Sequence, residues 1–193
     1  DMVDCEAMTA LKDLMTAFDC TNIDCRQDGA QLNASVRTSY IFNSTIAGID
    51  RASALLFIGT DPRSEAPVLN ARIRKRWTRG NFPVGLVGLD RDMTYPITFL
   101  GDNPTVLKEL LKGKGKFSKI LGNSERPMVI VGQGALARPN GAVVLSAARQ
   151  IAVKYGAVNG DWNGFNVLHK AASRVGGLDI GFVPNEGGLD VAG

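Results

Sequence analysis

Few of the residues that usually announce chemistry are present in this chain of 193 residues. It has one histidine, His169, and three cysteines, Cys5, Cys20 and Cys25. A zinc or iron–sulfur site needs four donors, and the cysteines cluster far from the histidine in sequence, so a complete metal site is not expected. The thiols are expected to be buried or inert, as small hydrophobes, and free thiols fit a reducing compartment. No apolar run approaches the ~20 residues that a membrane span requires. No basic segment followed by a short apolar stretch marks a signal peptide. There is no G-x-S-x-G and no H-E-x-x-H. The net charge of +3 is too small to argue for nucleic acid on its own.

What the chain does have is an ordinary globular composition, 45% hydrophobic and 21% charged, enough to bury a sizeable core. It opens at Asp1, directly on a helical pattern with Met8, Leu11, Leu14, Met15 and Phe18 on one stripe and Asp4 as a cap. Such a start points to a piece of a longer polypeptide. A short strand is expected near 21–25, a loop over 26–45 and a short helix over 45–53.

The five residues Ala54–Ile58 form an apolar run ended by Gly59, the pattern of a buried parallel strand. A helix is expected from Ser64 or Glu65 to Trp77, with Leu69, Ile73 and Trp77 on its packing stripe. Strands are expected over 83–89 and 95–100, then a helix capped by Asn103 with Pro104 at its first position. Residues 127–132 read as another buried strand, followed by a loop and a helix over 141–155. A helix is also expected to start near 163–165 and to end at Gly176 and Gly177, before an extended Gly-rich tail. Alternation of strand and helix predicts an α/β protein with mainly parallel sheets flanked by helices. Two Rossmann-like lobes are expected, over 1–112 and 127–193, with a basic connector over 113–126.

Ligands in such sheets sit beyond the carboxyl ends of strands, here Gly59–Arg63 and Gly132–Ala137. The second loop matches G-x-G-x-x-A through Gly132, Gly134 and Ala137. Arg138, Pro139 and Asn140 separate it from the helix at 141, and no acidic residue follows at the end of a convincing strand, so turn chemistry explains it better. In the first loop Thr60 and Arg63 could hold a phosphate. Asp61 and Glu65 lie at the same helix start, where a carboxylate satisfies the dipole itself and repels an anion. The mouth of the sheet is therefore expected to be self-capped. Arg72, Arg74, Lys75, Arg76 and Arg79 form a basic helix face without interleaved aromatics, read as a solvated face or one that meets an acidic partner. Asp90, Asp92 and Asp102 read as solvated turn residues, and His169, placed on a helix, as a hydrogen-bonded structural residue. No catalytic, cofactor-binding or metal-binding residue is assigned.

The stretch "TSYIFNSTIAGIDRASALLFIGTDPRSEAPVLNARIRKRW" resembles the molybdopterin-oxidoreductase-like domain of the large iron–sulfur subunit of respiratory complex I, the proton-pumping NADH:ubiquinone oxidoreductase. The likeness continues through "PVGLVGLDRDMTYPITFLGDNP", "MVIVGQGALARPNGA" and "GDWNGFNVLHKAASRVGGLDIGF". The resemblance implies an α/β fold that clasps a pterin dinucleotide in catalytic relatives and has lost that cofactor in the respiratory subunit. Iron–sulfur clusters would belong to a preceding region of the longer chain, with none in this fragment. Position 61 is Asp where this family usually has Asn, and "GLDRDMTYP" departs from the D-P-R-x-T type segment of catalytic relatives. The implied role is a non-catalytic structural domain in the peripheral arm. Its partners would be other subunits of that arm, with no nucleic acid and no membrane span. The implied place is the matrix side of the mitochondrial inner membrane or the cytoplasmic face of a bacterial one. The alternatives are a fragment of a catalytic molybdopterin oxidoreductase and an independent nucleotide-binding module.

Overall fold

A computed structural model describes residues 2–191. In chain order the elements are α1 (Cys5–Ala17), α2 (Thr45–Gly48), β1 (Ala54–Ile58), α3 (Pro62–Glu65), α4 (Pro67–Thr78), β2 (Val84–Val87) and β3 (Thr98–Gly101). They continue with α5 (Thr105–Leu111), α6 (Lys116–Gly122), β4 (Pro127–Gly132), α7 (Gln133–Leu136), α8 (Gly141–Lys154), β5 (Val158–Asn159), β6 (Trp162–Asn163), β7 (Phe165–Leu168) and α9 (Arg174–Asp179).

Five parallel strands form one sheet in the order β3-β2-β1-β4-β7, and β5 and β6 form a small antiparallel hairpin. Strand β1 is buried along its whole length because both faces are covered. Its side chains alternate. Ala54, Leu56 and Ile58 meet Val129, Val131 and the helices α5, α6 and α8. Leu55 and Phe57 point the other way, to Met128, Ile130, Leu86 and the α4 residues Leu69 and Ile73. The period of two thus splits one apolar run between two cores.

The division into two lobes does not hold in this sheet. Strand β1 pairs with β4 from Ala54 against Pro127 to Ile58 against Val131, so the halves share a sheet at its centre. The expected connector holds α6, whose Phe117 and Leu121 are buried in the core. Phe117 lies over Gly85 so closely that a Cβ there would come within 2.6 Å of the ring. Lysines and glycines hide this two-residue apolar stripe in the sequence.

The helix expected from 163–165 is instead the hairpin, strand β7 and a shorter α9. Phe165 and Val167 enter the core of β4 and β1. Between them Asn166 turns to the other face, where its Oδ1 accepts hydrogen bonds from the Ser44 N–H at 3.0 Å and the Ser44 hydroxyl at 3.1 Å. Alternation with β4 pairing overrides the helical reading of this segment. Residues 41–43 close the outer edge of β7: the Val167 N–H donates to the Ile41 carbonyl, and Asn43 Nδ2 to that of Phe165. No strand forms at 21–25, where the Cys25 N–H instead donates to the Phe182 carbonyl. Past α9 the described residues 180–191 hold turns and no further helix or strand, and Phe182, in the segment expected to be an extended tail, is buried against Met8 and Ile23.

Candidate functional site

Strands β2 and β4 lie on opposite sides of β1, so the sheet changes winding direction between β1 and β4. This is the place where α/β sheets open a crevice for ligands. A cavity of about 430 Å³ lies along this carboxyl edge, in the size range of small-molecule sites. Its charged lining is mixed: Arg91, Arg138 and Lys170 against Asp61, Glu65 and Asp102.

Between β1 and β4 the two loops press against each other, and the cavity opens beside this contact, with Gly59, Gly134 and Ala135 in its wall. Gly59 has φ +59°, and a Cβ on it would fall 2.3 Å from the Ala135 Cβ and 2.6 Å from the Ala135 nitrogen. A Cβ on Gly132 would fall 2.4 Å from that of Thr60, and one on Gly134 would lie 2.8 Å from the Gly59 carbonyl oxygen. Contrary to the sequence reading, a helical turn, α7, does follow Gly132 directly. The glycines of the G-x-G-x-x-A match press this turn against the β1 loop.

Backbone donors at the start of α3 are also committed. Pro62 has no N–H. The Arg63 N–H donates to the Asp61 carboxylate at 3.1 Å, and those of Ser64 and Glu65 donate to the Asp61 carbonyl. The buried Thr60 hydroxyl donates to Glu65 Oε2 at 2.7 Å, and Lys170 lies 3.6 Å from the other Glu65 oxygen. Arg63 donates to the Asp92 carboxylate at 2.7 Å and to the Asp92 carbonyl at 2.9 Å. The Thr94 N–H and then Arg63 hold the exposed Asp92 carboxyl below its usual range. Self-capping by Asp61 is thus what the geometry shows, whereas the Glu65 carboxylate is held by Thr60 and Lys170 instead of capping a helix, and Arg63 is turned to Asp92. Asp92 is exposed, as expected of a solvated turn residue, and in addition pairs with Arg63.

Tyr95, buried in the core on the α4 face of the sheet, is tied to that helix. Its hydroxyl donates to Asn70 Oδ1 at 2.8 Å, while Asn70 Nδ2 donates to the Met93 carbonyl at 3.1 Å. Burial pushes the Tyr95 hydroxyl above its ordinary range.

His169 lies just beyond β7 rather than on a helix. Its Nε2 faces the Tyr40 carbonyl, and Gln133 Nε2 lies 3.3 Å from Nδ1. The Tyr40 carbonyl can only accept, so Nε2 carries the proton and Nδ1 accepts from Gln133. Burial lowers the His169 pKa, against the opposing hydrogen bond to Tyr40. As pH falls below the usual value of about 6.5, the unfolded chain takes up a proton that the folded chain refuses. Stability from this group is therefore complete above that pH and lost as pH falls through the lower folded value. His169→Gln is expected to flatten this decline, as read from urea midpoints at about pH 7.5 and about pH 5.

The basic face of α4 is largely used internally. Arg72 and Arg79 both reach Asp50. Arg76 donates to the Ala52 and Gly80 carbonyls and lies 4.6 Å above the Phe82 ring. Only Arg74 and Lys75 of the five remain exposed without an ion pair among the described residues. Cys25 is half-buried, and burial followed by the Asp24 charge raises its thiol pKa. Cys20 is also half-buried, while Cys5 is exposed, so of the expected buried or inert thiols it is not a buried one. Among the described residues no group of three or more His, Cys, Asp or Glu could hold a metal ion. None of their helices is long and apolar enough to cross a membrane.

Sequence reasoning missed Gln133, Tyr40 and Arg174 at this edge, for none belongs to a motif. The paired glycines ending two buried strands, Gly59 and Gly132, were the available signal for the interlock.

Comparison with known proteins agrees with this geometry. A family model described as molybdopterin oxidoreductase matches residues 1–192. The chain is 42% identical over 181 residues to the mitochondrial NADH dehydrogenase [ubiquinone] iron-sulfur protein 1 of Solanum tuberosum, covering 94% of this chain and 24% of that protein. It is 40% identical over 185 residues to a NADH-quinone oxidoreductase subunit of Rickettsia bellii, covering 96% and 27%. A third relative, the mitochondrial NADH-ubiquinone oxidoreductase 78 kDa subunit of Candida albicans, is 40% identical over 184 residues, covering 94% and 25%. The chain spans about a quarter of the length of these curated relatives. With a parallel α/β sheet and a family match over nearly its whole length, the chain belongs to the molybdopterin oxidoreductase family.

Proposed function

We propose that this domain is a non-catalytic structural part of the large iron–sulfur subunit of NADH:ubiquinone oxidoreductase, in the peripheral arm of respiratory complex I. The observation that carries the reading is the pair of closed strand ends: Asp61 takes the donors at the start of α3, and Gly59 lies against Ala135. The pterin dinucleotide that the family name implies carries a diphosphate, which needs free donors and positive potential at such a helix start. The residues at this loop do not fit it. The domain then serves by shape, burying surface against neighbouring parts of the assembly. Electrons would travel through iron–sulfur clusters held elsewhere in the longer polypeptide. Identity near 40% to mitochondrial and bacterial relatives supports a peripheral place on the matrix side of the mitochondrial inner membrane, or on the cytoplasmic face of a bacterial one.

Metal and pterin analysis of the full-length protein purified in its assembly tests this. Substoichiometric molybdenum and tungsten, and no pterin fluorescence after oxidation, are expected. One equivalent of either metal with pterin would overturn the reading.

A further inference from the structure

Helix α1 carries two apolar faces, about 100° apart around its axis. Met8 and Met15 face Ile23, Phe182 and Ile180, with Lys12 Nζ donating to the Ile180 carbonyl at 2.6 Å on the same side. The neighbouring face bears Ala7, Leu11 and Leu14, and Phe18 follows as the C-cap. Leu11, Leu14 and Phe18 are 46%, 52% and 73% exposed. The single stripe read from the sequence is therefore two, and only one of them is covered.

The exposed positions 7, 11, 14 and 18 are spaced 4-3-4, the a/d seam of helices that pack side by side. Ala10 and Ala17 flank this seam and are exposed too, so a second helix can approach closely. The flanking positions also decide which helix. Charged residues there ordinarily select the partner, and here they are Met8, Ala10, Met15 and Ala17. A seam without such charges discriminates poorly among free partners. A partner tethered on the same chain needs little discrimination, because its effective concentration is high. The curated relatives are about four times the length of this chain, so polypeptide to supply such a helix is at hand.

We infer that the Ala7–Leu11–Leu14–Phe18 seam is an intramolecular docking surface, covered in the full-length protein by an amphipathic helix from another part of the same polypeptide. The inference needs the longer chain of the relatives, not the reading of the crevice.

Photo-crosslinking of the full-length protein tests it. Leu14 is replaced by p-benzoylphenylalanine, with Lys75 replaced in the same way as a control on the exposed face of α4. The protein is irradiated alone and in its assembly, and the adducts are mapped as peptides. In both samples position 14 is expected to link to one helix of the same polypeptide outside residues 1–193, and position 75 is not. Links from position 14 to a second copy or to another subunit, or none at all, would overturn the inference, and the functional reading would stand. In a second measurement, Leu14→Glu in the full-length protein is expected to speed protease cleavage between this domain and the rest several-fold. An unchanged rate would overturn the inference independently of the cross-links.

Discussion

Replacing Gly59 by alanine is expected to destabilise the fold by about 3 kcal/mol or more, a large fraction of what a domain of this size has in reserve. Two effects add at this position. The residue has φ +59°, a conformation that costs an L-residue roughly 1–2 kcal/mol. The new methyl group would also lie 2.3 Å from the Ala135 Cβ and 2.6 Å from the Ala135 nitrogen, and overpacking of that kind typically costs a further ~1–3 kcal/mol. Relief requires the β1 and β4 loops to part, yet the Gly59 N–H is tied to the Val87 carbonyl at 2.8 Å. Gly80 separates the two effects, because it has φ +82° and nothing within 4 Å of its would-be Cβ. Gly80→Ala should therefore cost only about 1 kcal/mol. Urea unfolding of the two variants beside the parent checks the difference; equal losses would mean that the interlock contributes nothing.

That interlock also marks where the sequence stops being readable. The central strands β1 and β4 are plain in it, because short apolar runs ended by glycine have few other uses. The cap at Asp61 is plain as well, since carboxylates at a helix start act locally. Contacts between residues far apart in the chain are a different matter. Nothing local tells that Gly59 meets Ala135, or that the lysine- and glycine-rich connector hides Phe117 and Leu121 in the core. Nor does anything local tell that β1 pairs with β4, the pairing that makes the supposed two lobes one sheet. The segment 163–177 misleads for another reason: its apolar residues suit either period, and pairing with β4 decides between them. In α1 the periodicity was visible, but Met8 and Leu11 lie on different faces, and only the position of Phe182 shows which face is covered.

Asp28→Asn is expected to cost about 3 kcal/mol, although Asp28 itself is partly exposed. The reason lies in its partner. Arg174 is 2% exposed, and its Nη2 lies 3.0 Å from Asp28 Oδ1. Its Nε and Nη1 have no hydrogen-bond partner among the described residues. Asparagine can still accept from the Ala30 N–H, which Asp28 Oδ1 now does at 3.1 Å, so the turn survives and the change removes mainly the countercharge. A buried guanidinium without that charge retains its desolvation penalty with little to offset it. Arg174→Met removes the cation instead, fills similar space with an apolar chain, and should cost clearly less. The double variant D28N/R174M should recover most of what Asp28→Asn loses, a non-additivity that a double-mutant cycle from urea unfolding reads directly. His169 supplies a second, independent signal, because the Arg174 charge lowers its pKa and the Asp28 charge raises it. Titration by NMR should show the His169 pKa moving down in Asp28→Asn and up in Arg174→Met. Additive losses, or a histidine that ignores both changes, would mean that the pair is not coupled as the geometry places it.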